Sequence, residues 1–434
     1  LYKRSKKKKM AEISDTAKED KIYEIINKGN GKIIYCPCNA KEKKNVQIIS
    51  PNERLPTQPK DSIRVVALGC THDEHQQVWL PPGDILIHSG DICRWSRPNE
   101  KVYGYKWREK SDKVWYDFIT RYLLYYNDKY YYKYGIYVIP GNHDSYLYED
   151  DRNFFRIQSL LKRTFERDRK NDHNSHHHKT PPTKAYLCYD KLITLSIPSQ
   201  SNSNKILRIF ASPISWFRGK PSNAFQVHRH EQIDDYPNID LWKMDKRPHN
   251  MKWTVKDYIH KYFPLQKYFL FVYYYLVNIH IHIYIYRPID ILITHGPCHN
   301  YGDSVDHRLG SVIGSKDLYQ YITHNKIKFH VCSDYHGDDN IADFGYGVKF
   351  LSLESSSKYT STTEEEEAKA CNDKTDSSMP PTQEANTHTQ SHCIVMNVAI
   401  SHCPAKQLDV VKRGVTIFDI DIKSLSDDIS PNKK

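Results

Sequence analysis

The chain has 434 residues, 39% of them hydrophobic and 26% charged. That is enough apolar material to bury a substantial core, and it excludes collagenous, fully disordered and small disulfide-framework proteins. The net charge is +11, but six positive charges fall within the first nine residues, which leaves about +5 for the rest and no basic body suited to a specific nucleic-acid partner.

Ten scattered cysteines are too sparse for a disulfide scaffold and suit reduced thiols in a cytoplasmic or nuclear protein. The basic start has no apolar stretch behind it of the kind a secretory leader needs. Residues 1–61 read as a basic, mostly disordered segment with a short helix near 16–27, and order is expected from Ser62. Cys36 and Cys38 resemble half of a metal site but have no second pair nearby.

From there strands and helices alternate. Ile63 to Leu68 is a short apolar run ending in Gly69-Cys70-Thr71-His72. Asp84 to His88 repeats the pattern and ends in Ser89-Gly90-Asp91. Val114, Trp115, Phe118, Ile119, Tyr122 and Leu123 recur at helical spacing, which predicts a helix over 111–126. Ile136 to Ile139 predicts a strand ending in Pro140-Gly141-Asn142-His143-Asp144, and 151–167 a polar-faced helix. The polar stretch 168–184, with His173, His176, His177 and His178, reads as a solvated loop. Further strands are expected at 187–197, 206–211, 289–294, 327–332, 347–353, 394–400 and 415–421, and 423–434 as a disordered tail.

Two segments read as insertions, at about 264–287 and 354–392. The second is rich in Ser, Thr and Glu. The first contains nineteen residues, 268–286, without an Asp, Glu, Lys or Arg, which is long enough to span a bilayer. Against a span stand Asn278, His280 and His282, the strict alternation of 279–286, and its position between strands that must share one sheet.

Five motifs each follow an apolar strand: Cys70-Thr71-His72, Gly90-Asp91, Gly141-Asn142-His143-Asp144, Thr294-His295-Gly296-Pro297 and Ser333-Asp334-Tyr335-His336-Gly337. In open α/β folds the carboxyl ends of strands collect at one rim, where ligands bind. The set is rich in His, Asp and Asn, donors suited to divalent ions at a hydrolytic centre.

This order resembles the calcineurin-like metallophosphoesterase superfamily, whose pattern runs Asp-x-His, Gly-Asp, Gly-Asn-His-Asp/Glu, His, Gly-His-x-His. The runs at 83–91, 291–297 and 208–213 with Trp216-Phe217 look most like its metallophosphoesterase-domain-containing branch, which is linked to 2′,3′-cyclic nucleotide hydrolysis. The resemblance covers about 62–260, 288–353 and 393–422.

It implies an α/β fold of two packed mixed β-sheets flanked by helices, in one domain over 62–422. It also implies two divalent metal ions. His72 and His336 would hold the first, Asn142 and His295 the second, and Asp91 would bridge both. His143 would act as the catalytic acid beside a metal-activated hydroxide, on a small phosphodiester or nucleotide substrate, and Asp144 would orient its loop.

Three positions depart from the pattern. Cys70 stands where the first Asp is expected, either as a thiolate ligand able to bind zinc or iron and disfavouring magnesium, or as a buried thiol that binds nothing; for the centre as a whole manganese, iron or zinc is expected over magnesium. Asp334 replaces a ligand His but is itself able to ligate. Arg94 replaces an acid that supports the catalytic His in related phosphatases. These departures set an alternative beside the enzyme: a weakened or inactive relative that binds metal or nucleotide in the same pocket. A third reading, built on the basic start and residues 268–286, is membrane or nucleic-acid association.

Overall fold

The computed structural model describes residues 32–38, 40, 43–50, 53–94, 106–166, 182–200, 203–216, 224–227, 289–301, 305–306, 311–312, 314–335, 348–353, 392–402, 410–411 and 413–427. The expected helix near 16–27, the histidines at 173–178, residues 264–287 and 354–391, and His336 lie outside them. Among the described residues, no helix is long and apolar enough to cross a membrane.

The architecture is α/β, with two mixed sheets packed face to face and helices on the outer faces. The first sheet comprises β1 (Lys32–Cys36), β2 (Gln47–Ile49), β3 (Ser62–Leu68), β4 (Ile85–His88), β5 (Gly135–Val138), β6 (Ala185–Leu187) and β13 (Arg413–Asp421), in the order β2-β1-β13-β3-β4-β5-β6. The second comprises β7 (Lys191–Ile197), β8 (Lys205–Ser212), β9 (Ile291–Thr294), β10 (Phe329–Cys332), β11 (Val348–Ser352), β12 (His392–Asn397) and β14 (Ser426–Asp427). Its order is β11-β12-β10-β9-β8-β14, with β7 also on β8.

The strands that carry the motifs are parallel to one another: β3 to β4 to β5 in one sheet, and β8 to β9 to β10 in the other. Their apolar runs are unbroken because both faces are covered. In β3, Val65 and Ala67 face the interior between the sheets, with Ile85, Ile209, Ile293 and Val331. Val66 and Leu68 face the helices instead, with Trp115, Phe118, Ile157 and Leu161. These come from α1 (Lys106–Asp117), which runs on through a π-wound turn at 118–123 to Tyr130, and α3 (Asp151–Glu166), which follows the short α2 (Ser145–Glu149). On the other sheet, Leu318, Tyr321 and Ile322 of α4 (Lys316–His324) cover Leu292, Cys332 and Val395.

Several boundaries correct the sequence reading. Order starts before Ser62: the short run in β1 sits among lysines, but Ile33 and Tyr35 face the helical layer and Ile34 and Cys36 the interior. The pairing that stabilises it is with β13, nearly 400 positions away, so no local window reveals it. At the other end the tail is ordered to Asp427, because Leu425 is buried and β14 pairs with β8. The run 187–197 is two strands in different sheets, divided by a turn with Asp190 at a φ of 48°. The first helix begins at Lys106 and ends at Tyr130, beyond both ends of the expected 111–126.

A buried ion pair ties together three adjacent interior strands of the first sheet, β1, β13 and β3. Arg64 on β3 donates Nε and Nη2 to the two carboxylate oxygens of Asp419 on β13, at 2.8 and 2.9 Å, and Tyr35 on β1 donates its hydroxyl to Asp419 at 2.7 Å. Asp419→Ala strands the guanidinium in the interior and should cost about 3–5 kcal/mol of stability, read as a lower midpoint in chemical denaturation. An unchanged midpoint would contradict this role.

Candidate metal centre

The described residues of all five motifs meet at one rim. Beyond β3, Gly69 pairs with the chain beyond β12: its N–H donates to the Val398 carbonyl at 3.0 Å, and its carbonyl accepts from Ile400 at 3.0 Å. This stitches the first sheet to the second at the carboxyl ends of the motif strands. A Cβ on Gly69 would collide with Ser89 and Ser333, so only glycine lets the three loops approach. Cys70 N–H then donates to Gly90 O at 2.8 Å, and His72 N–H to Asp91 O at 3.0 Å, which locks the first two loops together.

Asp91 sits at the centre, buried. One carboxylate oxygen accepts the His143 amide at 2.8 Å. The other lies 3.3 Å from His295 Nε2, 3.7 Å from His72 Nε2 and 4.0 Å from Cys70 Sγ. Asp334 Oδ1 lies 3.6 Å from His295 Nε2 and accepts from Asn142 Nδ2 at 3.2 Å. Two groups of buried residues can therefore hold a cation, Cys70 with His72 and Asp91, and Asp91 with His295 and Asp334. Cys70, His72, Asp91 and Asp334 all have positive φ, between 43° and 58°. Non-glycine residues rarely adopt that region, and such strain gathers at functional sites.

The protonation pattern fits a cation. A carbonyl only accepts, so His72 Nδ1, 3.2 Å from Cys93 O, and His295 Nδ1, 2.8 Å from Ser89 O, carry the hydrogens. Each Nε2 then faces the Asp91 carboxylate, where it takes up either a proton or a cation. His295 Nε2 has the Asp91 and Asp334 carboxylates beside it, and Asn142 Oδ1 is buried with no hydrogen-bond partner among the described residues. Tetrahedral zinc, with bonds of about 2.0–2.3 Å, puts adjacent donors roughly 3.3–3.5 Å apart. The separations around Asp91, 3.3 to 4.0 Å, are close to that.

The electrostatics agree. Burial alone would raise Asp91, but His295 and His143 outweigh it and hold the carboxyl well below the usual range. Burial pulls His72 down to about 4. Burial also opposes the charge on His295, but Asp91 and Asp334 overcome it and lift the imidazole to about 9. Burial, with Asp91 and Asp334 beside it, keeps the Cys70 thiol well above its ordinary value.

Several supports went unseen in the sequence. His143 Nδ1 donates to the backbone carbonyl of Arg94 at 2.7 Å, so the orienting contact expected of an acid at that position comes from the main chain. The Arg94 guanidinium lies 3.9 Å from Glu74. Ser333 Oγ lies 2.8 Å from Ser89 O and 3.0 Å from His295 Nδ1. His88, pushed down to about 3 by burial with His75 nearby, accepts the Gly90 amide on Nδ1 and donates Nε2–H to Thr71 Oγ1, so it links two motifs. Its place at a strand end was the only available signal. Asp144 accepts the amides of Gly141, Ile92 and Cys93, which fits the expected loop-orienting role.

No family model matches the chain. A curated relative, the UPF0046 protein T07D4.2 of Caenorhabditis elegans, is 44% identical over 62 residues, which span 14% of this chain and 15% of that protein. The crystal structure of TT1561 of Thermus thermophilus aligns over 67% of this chain and 95% of its own, at 10% identity and a TM-score of 0.31. A second crystal structure aligns over 62% and 83%, at 11% identity and a TM-score of 0.31.

Without a cation, the His295 proton offsets the buried Asp91 charge. Its pKa rises from 6.5 to about 9 on folding, so its contribution is complete below about pH 6.5 and is lost as pH rises through 9. In a chelator, the denaturation midpoint should fall between pH 6.5 and 9, and saturating zinc should flatten that segment, since metal and proton compete for Nε2. A flat midpoint in the chelator would contradict this.

Proposed function

We propose that the chain is a metal-dependent phosphoesterase acting on a small phosphodiester, with a cyclic nucleotide as the substrate class. The observation that carries this reading is the convergence of Cys70, His72, Asp91, Asn142, His295 and Asp334 on one buried point, with Asn142 Oδ1 left without a partner among the described residues. Cys70, His72 and Asp91 would hold one cation. Asp91, His295, Asp334 and Asn142 would hold another. Divalent ions held there would neutralise phosphoryl oxygens and lower the pKa of a water molecule toward about 7.

The chain's own groups do the rest. Asp91 serves both halves. Ser89, Ser333 and the Cys93 carbonyl fix the two imidazoles so that Nε2 is the donor atom. His143 is held through Nδ1 by the Arg94 carbonyl, which leaves Nε2 to carry the proton for a departing alkoxide oxygen. Its ring stands edge-on to His72 with centroids 4.9 Å apart, so the acid lies beside the ligands. His336, the expected partner of His72, lies outside the described residues.

A second reading has its own observation. Cys70 Sγ accepts the Asp334 amide at 3.2 Å, a contact that a binding-only relative can use without any catalytic ion.

Purified protein supplied with manganese, zinc or iron(II) should hydrolyse bis-p-nitrophenyl phosphate and 2′,3′-cyclic AMP. His143→Ala should lower kcat by about 10²–10⁴-fold at unchanged metal content, and Asp91→Asn should lose metal and activity together. Bound metal with no turnover would favour the second reading.

A further inference from the structure

The two halves of the centre are chemically unequal. One offers sulfur, nitrogen and oxygen from Cys70, His72 and Asp91. The other offers oxygen, nitrogen and oxygen from Asp91, His295 and Asp334. Among the described residues, Cys70 is the only cysteine whose sulfur falls in a metal-ligating group. It is fully buried, has a φ of 51° and receives the Asp334 amide. An amide donor to sulfur favours the thiolate form once a cation is bound.

From this geometry, we infer that Cys70 is a thiolate ligand that makes the His72 half select a thiophilic cation of the zinc or iron(II) class, while the His295 half accepts a harder ion. The inference rests on the metal-centre reading above and deepens it. Binding releases the thiol proton to solvent and turns a sulfur lone pair into a sulfur–metal bond, with no change of oxidation state. Soft thiolate donors discriminate strongly against magnesium and manganese, whereas a carboxylate there would not. Asn142 Oδ1 in the adjoining half, buried with no hydrogen-bond partner among the described residues, is independent evidence that the pocket is arranged for cations.

The test is to titrate the full chain and Cys70→Asp with cobalt(II), following sulfur-to-metal charge-transfer absorption and counting bound ions by elemental analysis. The wild-type chain should show the band. Cys70→Asp should bind cobalt without it, and its preference for zinc over manganese should drop by about tenfold or more. Cys70→Ser, closer in size, should also lose the band while keeping its circular dichroism, which separates loss of a ligand from loss of the fold. If wild-type protein binds cobalt and hydrolyses phosphodiesters without the band, or Cys70→Asp retains the band, this inference fails and the phosphoesterase reading stands. If neither protein binds an ion, both fall.

Discussion

The site depends on a carboxylate placed where water cannot reach it. Asp91 is buried, and its charge is tolerable only because positive or partly positive groups surround it: the His143 amide on one oxygen, and His72, His295 and the thiol of Cys70 around the other. An unpaired buried carboxylate would cost many kcal/mol or take up a proton. The neighbours that offset it are themselves lone-pair donors. Carboxylate and imidazole lone pairs aimed at one another repel unless a proton or a cation lies between them, so the arrangement makes physical sense as a cation site.

The scaffold holds these lone-pair donors together. Parallel strands in both sheets deliver their loops to one rim, and the Gly69 bonds to Val398 and Ile400 tie the sheets at that point. Backbone groups do much of the positioning: the carbonyls of Ser89, Cys93 and Arg94 orient three histidines, and three amides orient Asp144. The left-handed backbone at Cys70, His72, Asp91 and Asp334 has a conformational cost that this network offsets.

The five motifs were legible because each ends an apolar run, and a strand buried on both faces is readable from a few residues. His88 and Ser333 escaped notice because their roles are made by contact across loops. The part played by Arg94 had no sequence signal, since a carbonyl is the same whatever side chain it accompanies. The first two strands were obscured by their lysine-rich surroundings and by dependence on a strand near the far end of the chain.

Local sequence by itself determined the motif-bearing strands, which residue types stand at their ends, and the helix–strand alternation that makes an α/β fold. Those properties follow from periodicity and side-chain chemistry over a few positions. The tertiary structure alone decided that Cys70 and Asp334, 264 positions apart, share one contact, that His295 points Nε2 rather than Nδ1 at Asp91, and that the main chain at residue 94 aligns His143. Distances of a few ångströms between remote loops depend on how two sheets pack and where a glycine allows close approach, and no local pattern encodes that.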